Sequence, residues 1–365
     1  MPPTIKVSGA IAVIILLLSA CAPAAPAATA TPSSAQSVPD LSGIKTYVES
    51  QSEALHASVT SLQDASNQYY ELAKAANFDY DGLWNDQSEA VLKALSDART
   101  AFIAANPQYE QMEGIVAGVP SLSVYDVILD AGTPGTDTSG DAVPFDLTLP
   151  DGRVLPKPGN LFEVTEATLW GTDPTYIIAD IHPDFNGNGQ VDLGDSLPDA
   201  KVLKGASDAF VKYTADLATA AQQWQPTEAE AFGALIANVP TFSTFMESWK
   251  NSRLVQGSQS TERGFVATSR LSDLSDNILS WQKIYAGLSP AVSKVAPDVD
   301  SQITNDLANL QTYVSNLYTQ ESKESKHFTP EEIDILNAEG QERATAIAGQ
   351  ITQVAAQLGV EIDNE

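Results

Sequence analysis

Along most of this chain the apolar residues recur every three or four positions, the spacing of helices that bury one face. Between 41 and 77 they fall at Ile44, Val48, Leu55, Val59, Leu62 and Tyr69, which predicts an amphipathic helix. A second helix is predicted over about 84–105, stopping before "NPQY". From Lys201 to Trp224 the pattern is most regular, with Leu203, Ala206, Phe210, Tyr213, Leu217, Ala220 and Trp224 marking a seam against a neighbouring helix. Further helices are predicted over 227–238, 262–288, 297–320 and 330–358. The last opens on Thr329 as N-cap, Pro330 at the first helical position and Glu332 at the third, and stops at Gly359. The expected fold is all-α, a double helical bundle, with an N-terminal bundle and central segment over 41–200 and a C-terminal bundle over 201–365.

Residues 117–200 break the helical pattern. Gly, Pro and Asp are dense there, and "FDLTLPDGRVL" alternates on both sides of a Pro-Asp-Gly turn, predicting one short β-hairpin. A long irregular segment inside a bundle is uncommon unless it carries function, so the site is expected here. The first forty residues read as processing and tethering. "VSGAIAVIILLL" follows Lys6 and is too short to span a bilayer, and Leu18-Ser19-Ala20-Cys21 resembles the lipobox of bacterial lipoproteins. That resemblance implies a signal peptide over 1–20, lipidation of Cys21 and a membrane-anchored, extracytoplasmic protein of the cell envelope. Cys21 is the only cysteine, which excludes an intramolecular disulfide. Residues 21–40 are rich in Ala and Pro and are expected to form a disordered tether.

Charge narrows the class of partner. The 365 residues hold 19 Lys plus Arg against 47 Asp plus Glu, a net charge of -28. Repulsion from phosphate disfavours nucleic acid, and cations are the natural counterparts.

One stretch has the register of a calcium loop. In "DFNGNGQVDLGD", Asp184, Asn186, Asn188, the Gln190 carbonyl, Asp192 and Asp195 fill the ligand positions, Gly189 the sixth and Val191 the apolar eighth. It resembles EF-hand and dockerin loops, but ends on Asp rather than Glu and has Pro183 and Pro198 close on either side. Pro198 would interrupt an exiting helix, so calcium is expected to brace the chain rather than open a sensor. His182, just before it, is expected to be a loop residue.

Two Glu-x-x-Glu pairs, Glu110/Glu113 and Glu163/Glu166, each project from one helical face. On facing helices they would form a carboxylate cluster able to hold a second metal. The surrounding residues resemble the imelysin-like family, whose signature is G-x-H-x-x-E followed by an apolar residue, Trp and Gly. In "FEVTEATLWG", Glu166, Leu169, Trp170 and Gly171 match, and Phe162 fits the neighbouring aromatic position. Tyr109, Glu113, Asp126 and Asp130 resemble the stretch before that signature, and Ser269 to Leu307 resembles the family's second half. The resemblance implies a double bundle with a polar site between its halves, and a relation to the periplasmic component of a bacterial iron-uptake system. Where the signature has His, this chain has Glu163, and carboxylate-only sites favour hard ions such as iron(III), manganese or magnesium. Arg263 and Arg270 with Asp273 and Asp276 are expected to form salt bridges along one helix.

These residues predict a metal-binding protein with a structural calcium loop, acting in metal acquisition or handling. The alternatives are a metal-dependent peptidase with Glu166 as general base, and a calcium-stiffened module that binds an envelope protein.

Overall fold

The computed structural model describes residues 39–260 and 262–362. The signal segment, Cys21 and nearly all of the tether lie outside the described residues. The described residues fall within one compact unit. Helix α1 runs over Ser42–Ala75 and α2 over Tyr80–Val116. The short α3, Ser123–Asp126, passes directly into a π-helical turn, Val127–Ala131, and α4 is Leu161–Trp170. Then follow α5 (Ala200–Gln223), α6 (Glu228–Asn238), α7 (Phe242–Asn251), α8 (Arg253–Gln256), α9 (Arg270–Val295), α10 (Pro297–Ser322) and α11 (Pro330–Leu358). No described helix is long and apolar enough to cross a membrane.

The seams of α1 and α5 behave as their spacing predicts: Val48, Leu55, Val59, Leu62 and Tyr69 are buried with Leu203, Ala206, Phe210 and Leu217. Those two helices pack on each other, and α2 lies on both α1 and α9. Helix α5 therefore belongs physically with the N-terminal helices, although its sequence position placed it at the head of the second half. The predicted cap of α11 is present, with Thr329 and Glu332 forming a reciprocal capping box and Gly359 closing the helix at φ 71°.

Two boundaries differ from the sequence reading. Helix α2 does not stop before "NPQY" but carries Pro107 inside it and continues to Val116, because Tyr109, Met112, Ile115 and Val116 continue its buried face. Packing outweighs the one lost backbone bond. The helix predicted over 262–288 begins only at Arg270, capped by Ser269 Oγ, and extends to Val295. Residues 262–268 form an irregular segment instead.

The predicted hairpin is present, with β1 (Leu147–Thr148) antiparallel to β2 (Val154–Leu155). A second miniature sheet pairs β3 (Ile177–Ile178) with β4 (Leu197–Pro198), bracketing the calcium-type loop. The loop thus leads into a strand, and α5 starts afresh at Ala200, capped by Asp199, whose side chain accepts from Lys201 N.

Candidate metal centre

The site grows from the C-terminal half of α2. Glu110 and Glu113 lie one turn apart, and Gly114 lets α9 approach closely, since a Cβ there would run into Ser280 and Trp281. That proximity brings Asn277 of α9 within reach of both carboxylates: its amide donates to Glu110 Oε2 at 2.9 Å and to Glu113 Oε2. The π-helical turn supplies the third acid, Asp130. One carboxylate oxygen from each of Glu110, Glu113 and Asp130 lies within 4.8 Å of the others. Asp126, one helical step earlier, accepts from Tyr109 Oη at 2.6 Å. Asp273 closes the far side, taking Arg270 Nη1 at 3.0 Å and Asn106 Nδ2 at 2.8 Å.

Five acids thus surround one buried base. Burial, then the neighbouring Asp273 and Glu113, pushes the Glu110 carboxyl well above its ordinary range; burial and Glu113 do the same to Asp130. Asp126 is pushed up to about 7 by burial and Glu113. Burial works against the Arg270 charge, but Asp273, Glu110, Asp130 and Glu113 outweigh it and hold the guanidinium protonated. Its guanidinium carbon lies over the rings of Phe245 and Phe265, 4.4 and 3.9 Å from their centroids. The oxygen-only donor set suits a hard cation, which would take the place of the protons that crowding now favours.

A cleft of about 500 Å³ opens above this cluster, lined by Glu113, Asp126, Asp130, Glu163, Glu166, Glu262 and Arg270, with Phe162, Phe245 and Phe265 among its apolar walls. Helix α4 forms one side. Asn160 caps it, accepting from Glu163 N at 2.8 Å while its own N–H donates to Gly132 O, which ties α4 to the end of the π-helical turn. The Glu163/Glu166 pair shares the cleft with Glu113, but its carboxylates turn to a different task. Glu166 accepts from three consecutive backbone N–H groups, Phe265 at 2.6 Å, Val266 at 3.0 Å and Ala267 at 2.8 Å. Burial still pushes its carboxyl up to about 7 despite those bonds. Glu163 lies 3.5 Å from Arg263 Nε, and Arg263 also reaches Asp173 at 3.2 Å. The pair anchors the irregular 262–268 segment, whereas Glu110 and Glu113 join Asp130.

Of the expected helix salt bridges, Arg270–Asp273 forms; Arg263 lies off the helix on the irregular segment, and Asp276 accepts from Gln111. Asn277 and Asn106 had no sequence signal, because an amide on a helix looks like any solvated polar residue. Asp126 and Asp130 were visible only through the family resemblance.

The Asp184–Asp195 loop is held by its own side-chain oxygens. Asp184 accepts from the N–H groups of Gly187, Asn188 and Gly189, Asn186 from Asn188, and Asn188 from Gln190. Asp195, buried, accepts from Phe185 and Asp192 N–H, while Asp192 takes the amides of Asn186 and Asn188. Gly187 and Gly189 stand at φ 73° and 72°, the left-handed region glycine enters without strain. His182 Nδ1 lies 3.0 Å from Asp195 O, fastening the loop's end. Arg99 of α2 connects this loop to α4: it donates to Leu169 O and Gly194 O and lies over the rings of Trp170 and Phe185.

No curated protein matches the chain. Among solved structures it is similar to a provisionally named iron-regulated protein A precursor from Parabacteroides distasonis ATCC 8503, at 16% identity, covering 89% of this chain and 96% of that one, with a TM-score of 0.47. The sequence model of the Imelysin family matches residues 43–358, nearly the whole helical fold. The chain belongs to the Imelysin family.

Proposed function

We propose that this protein is a lipid-anchored, extracytoplasmic metal-binding protein that acts in the acquisition or handling of a hard cation, iron foremost, with manganese and magnesium as the other candidates. The observation that carries this reading is the buried triad of Glu110, Glu113 and Asp130, whose oxygens lie within 4.8 Å of one another. Glu110 Oε1 is buried with no hydrogen-bond partner, and so few donors for so many acids leave a strong preference for a bound cation. Family membership and the lipobox at Leu18–Cys21 support the location, with Cys21 holding the chain to the membrane. Calcium in the Asp184–Asp195 loop is assigned a bracing role, separate from the cleft. The alternative of a metal-dependent peptidase with Glu166 as general base is not favoured, because both its oxygens already accept backbone N–H groups.

Metal analysis by mass spectrometry of the protein purified from its native host tests this. One transition or hard metal beyond calcium is expected per chain, lost in Glu113→Gln and Asp130→Asn and kept in Asp184→Ala. Calcium alone, unchanged in the two cleft variants, would sink the proposal.

A further inference from the structure

The triad is short of ligands. Asn277 already engages one oxygen of Glu110 and one of Glu113, which leaves the three carboxylates about four free oxygens, and a hard cation of the proposed kind takes about six, so part of the coordination comes from the cleft. Two buried polar atoms at the triad have no hydrogen-bond partner, and they are of opposite kinds. One is the acceptor Glu110 Oε1, on a fully buried side chain; the other is the donor Arg270 Nε, on a side chain 7% exposed. Arg270 lines the cleft, and its Nη1 stands 3.8 Å from Glu110 Oε1, so the guanidinium borders the triad. A buried donor and a buried acceptor left without hydrogen bonds on neighbouring side chains cost free energy that a ligand bound beside them would offset.

The guanidinium is also held as a receptor would be. Asp273 takes Nη1, the rings of Phe245 and Phe265 pack against the guanidinium, and its buried Nε has no hydrogen-bond partner. The Nε edge is a planar donor fork matched to a carboxylate-type oxygen pair. Thr133 Oγ1, on the cleft wall, is a further buried hydroxyl without a partner. The roughly 500 Å³ of the cleft leaves ample room beyond an ion. A water's share of volume is only about 30 Å³, so one or two waters would leave most of it unfilled.

We infer that the cleft binds its cation together with a small carboxylate-type anion, which completes the metal's coordination from one side and is received by the Nε edge of Arg270 from the other. The anion enters only with the cation, since alone it would face the many carboxylates that line the cleft with Arg270 as the single lining base. This inference rests on the metal reading above. Two sources share the chemistry, hydrogencarbonate from solution and a polycarboxylate such as citrate arriving as the metal's chelate.

The test titrates the calcium-saturated mature protein with manganese, and with iron(II) anaerobically, in buffer free of carbonate and carboxylates, then with added hydrogencarbonate or citrate. Metal affinity is expected to rise at least about tenfold with one of the two anions, a threshold of about 1.4 kcal/mol. Isotope-labelled anion should be retained in proportion to metal and released on metal removal. In Arg270→Lys the metal should still bind, but with its anion dependence lost; labelled-anion retention by the unaltered protein decides the matter where that variant misfolds. Equal metal affinity in all three buffers, with no label retained, overturns the inference and leaves the metal reading standing. No metal bound in the cleft under any condition overturns both.

Discussion

At the residue scale, two carboxylates with the same i, i+3 spacing have come to different ends. Glu113 lines the cleft with Asp130 and meets buried Glu110 behind it, while Glu166 spends its lone pairs on three N–H groups of the 265–267 segment. Glu166→Gln should therefore destabilise the fold by about 2–3 kcal/mol, because an amide cannot satisfy those donors with both atoms, and change cleft metal affinity little. Glu113→Gln should do the reverse, losing metal while leaving stability equal or slightly raised, since it relieves like-charge crowding. Denaturant titration beside metal titration separates the two. The same burial makes the metal-free protein pH-sensitive. Asp126 and Glu166 are pushed up to about 7 in the fold against roughly 4 in an unfolded chain. The native state then holds extra protons between those values, so the stability these groups contribute is present below about pH 4 and lost as pH rises through about 7. The thermal midpoint of metal-free protein should fall across that window, less steeply in Asp126→Asn. A flat profile would contradict the buried, crowded geometry.

At the scale of elements, the calcium-type loop and Arg99 form one device. The loop is closed on itself by side-chain to backbone bonds, and Arg99 ties its end to the last turn of α4, the helix that carries Glu163 and Glu166. Chelating calcium, or making Asp184→Ala, should lower the thermal midpoint, and the variant should lose its response to added calcium. Gly189→Ala forces an L-residue to φ 72° and should cost about 1–2 kcal/mol on its own. Arg99→Met should loosen the coupling, so that calcium still binds but stabilises less; a calcium response equal to that of the unaltered protein would show Arg99 to be incidental. The loop's register was legible because each ligand position needs a particular residue type. Arg99 was not, because an isolated arginine on a helix gives no sign of which carbonyls it will reach.

At the scale of the whole molecule, the cleft draws on α2, the π-helical turn, α4, the 262–268 segment and α9, so no contiguous piece of chain contains it. Helix α5, moreover, packs on α1. Separate expression of 39–200 and 201–362 should give two poorly folded, metal-free products by circular dichroism and metal titration. A stable 39–200 fragment that binds metal would contradict this architecture. The sequence by itself determined that the chain is helical, which faces are buried, where α11 begins and ends, and which twelve residues have calcium-loop spacing. Those follow from local periodicity, capping and turn chemistry, which act between residues a few positions apart. Only tertiary structure decided that α2 runs through Pro107, that Arg270 starts α9, and that Asn277 and Asp130 meet Glu110 and Glu113 while Glu166 turns away. Each of these is a competition between a local preference and burial or pairing with a residue tens to hundreds of positions distant, and only the folded chain sets the terms of that competition.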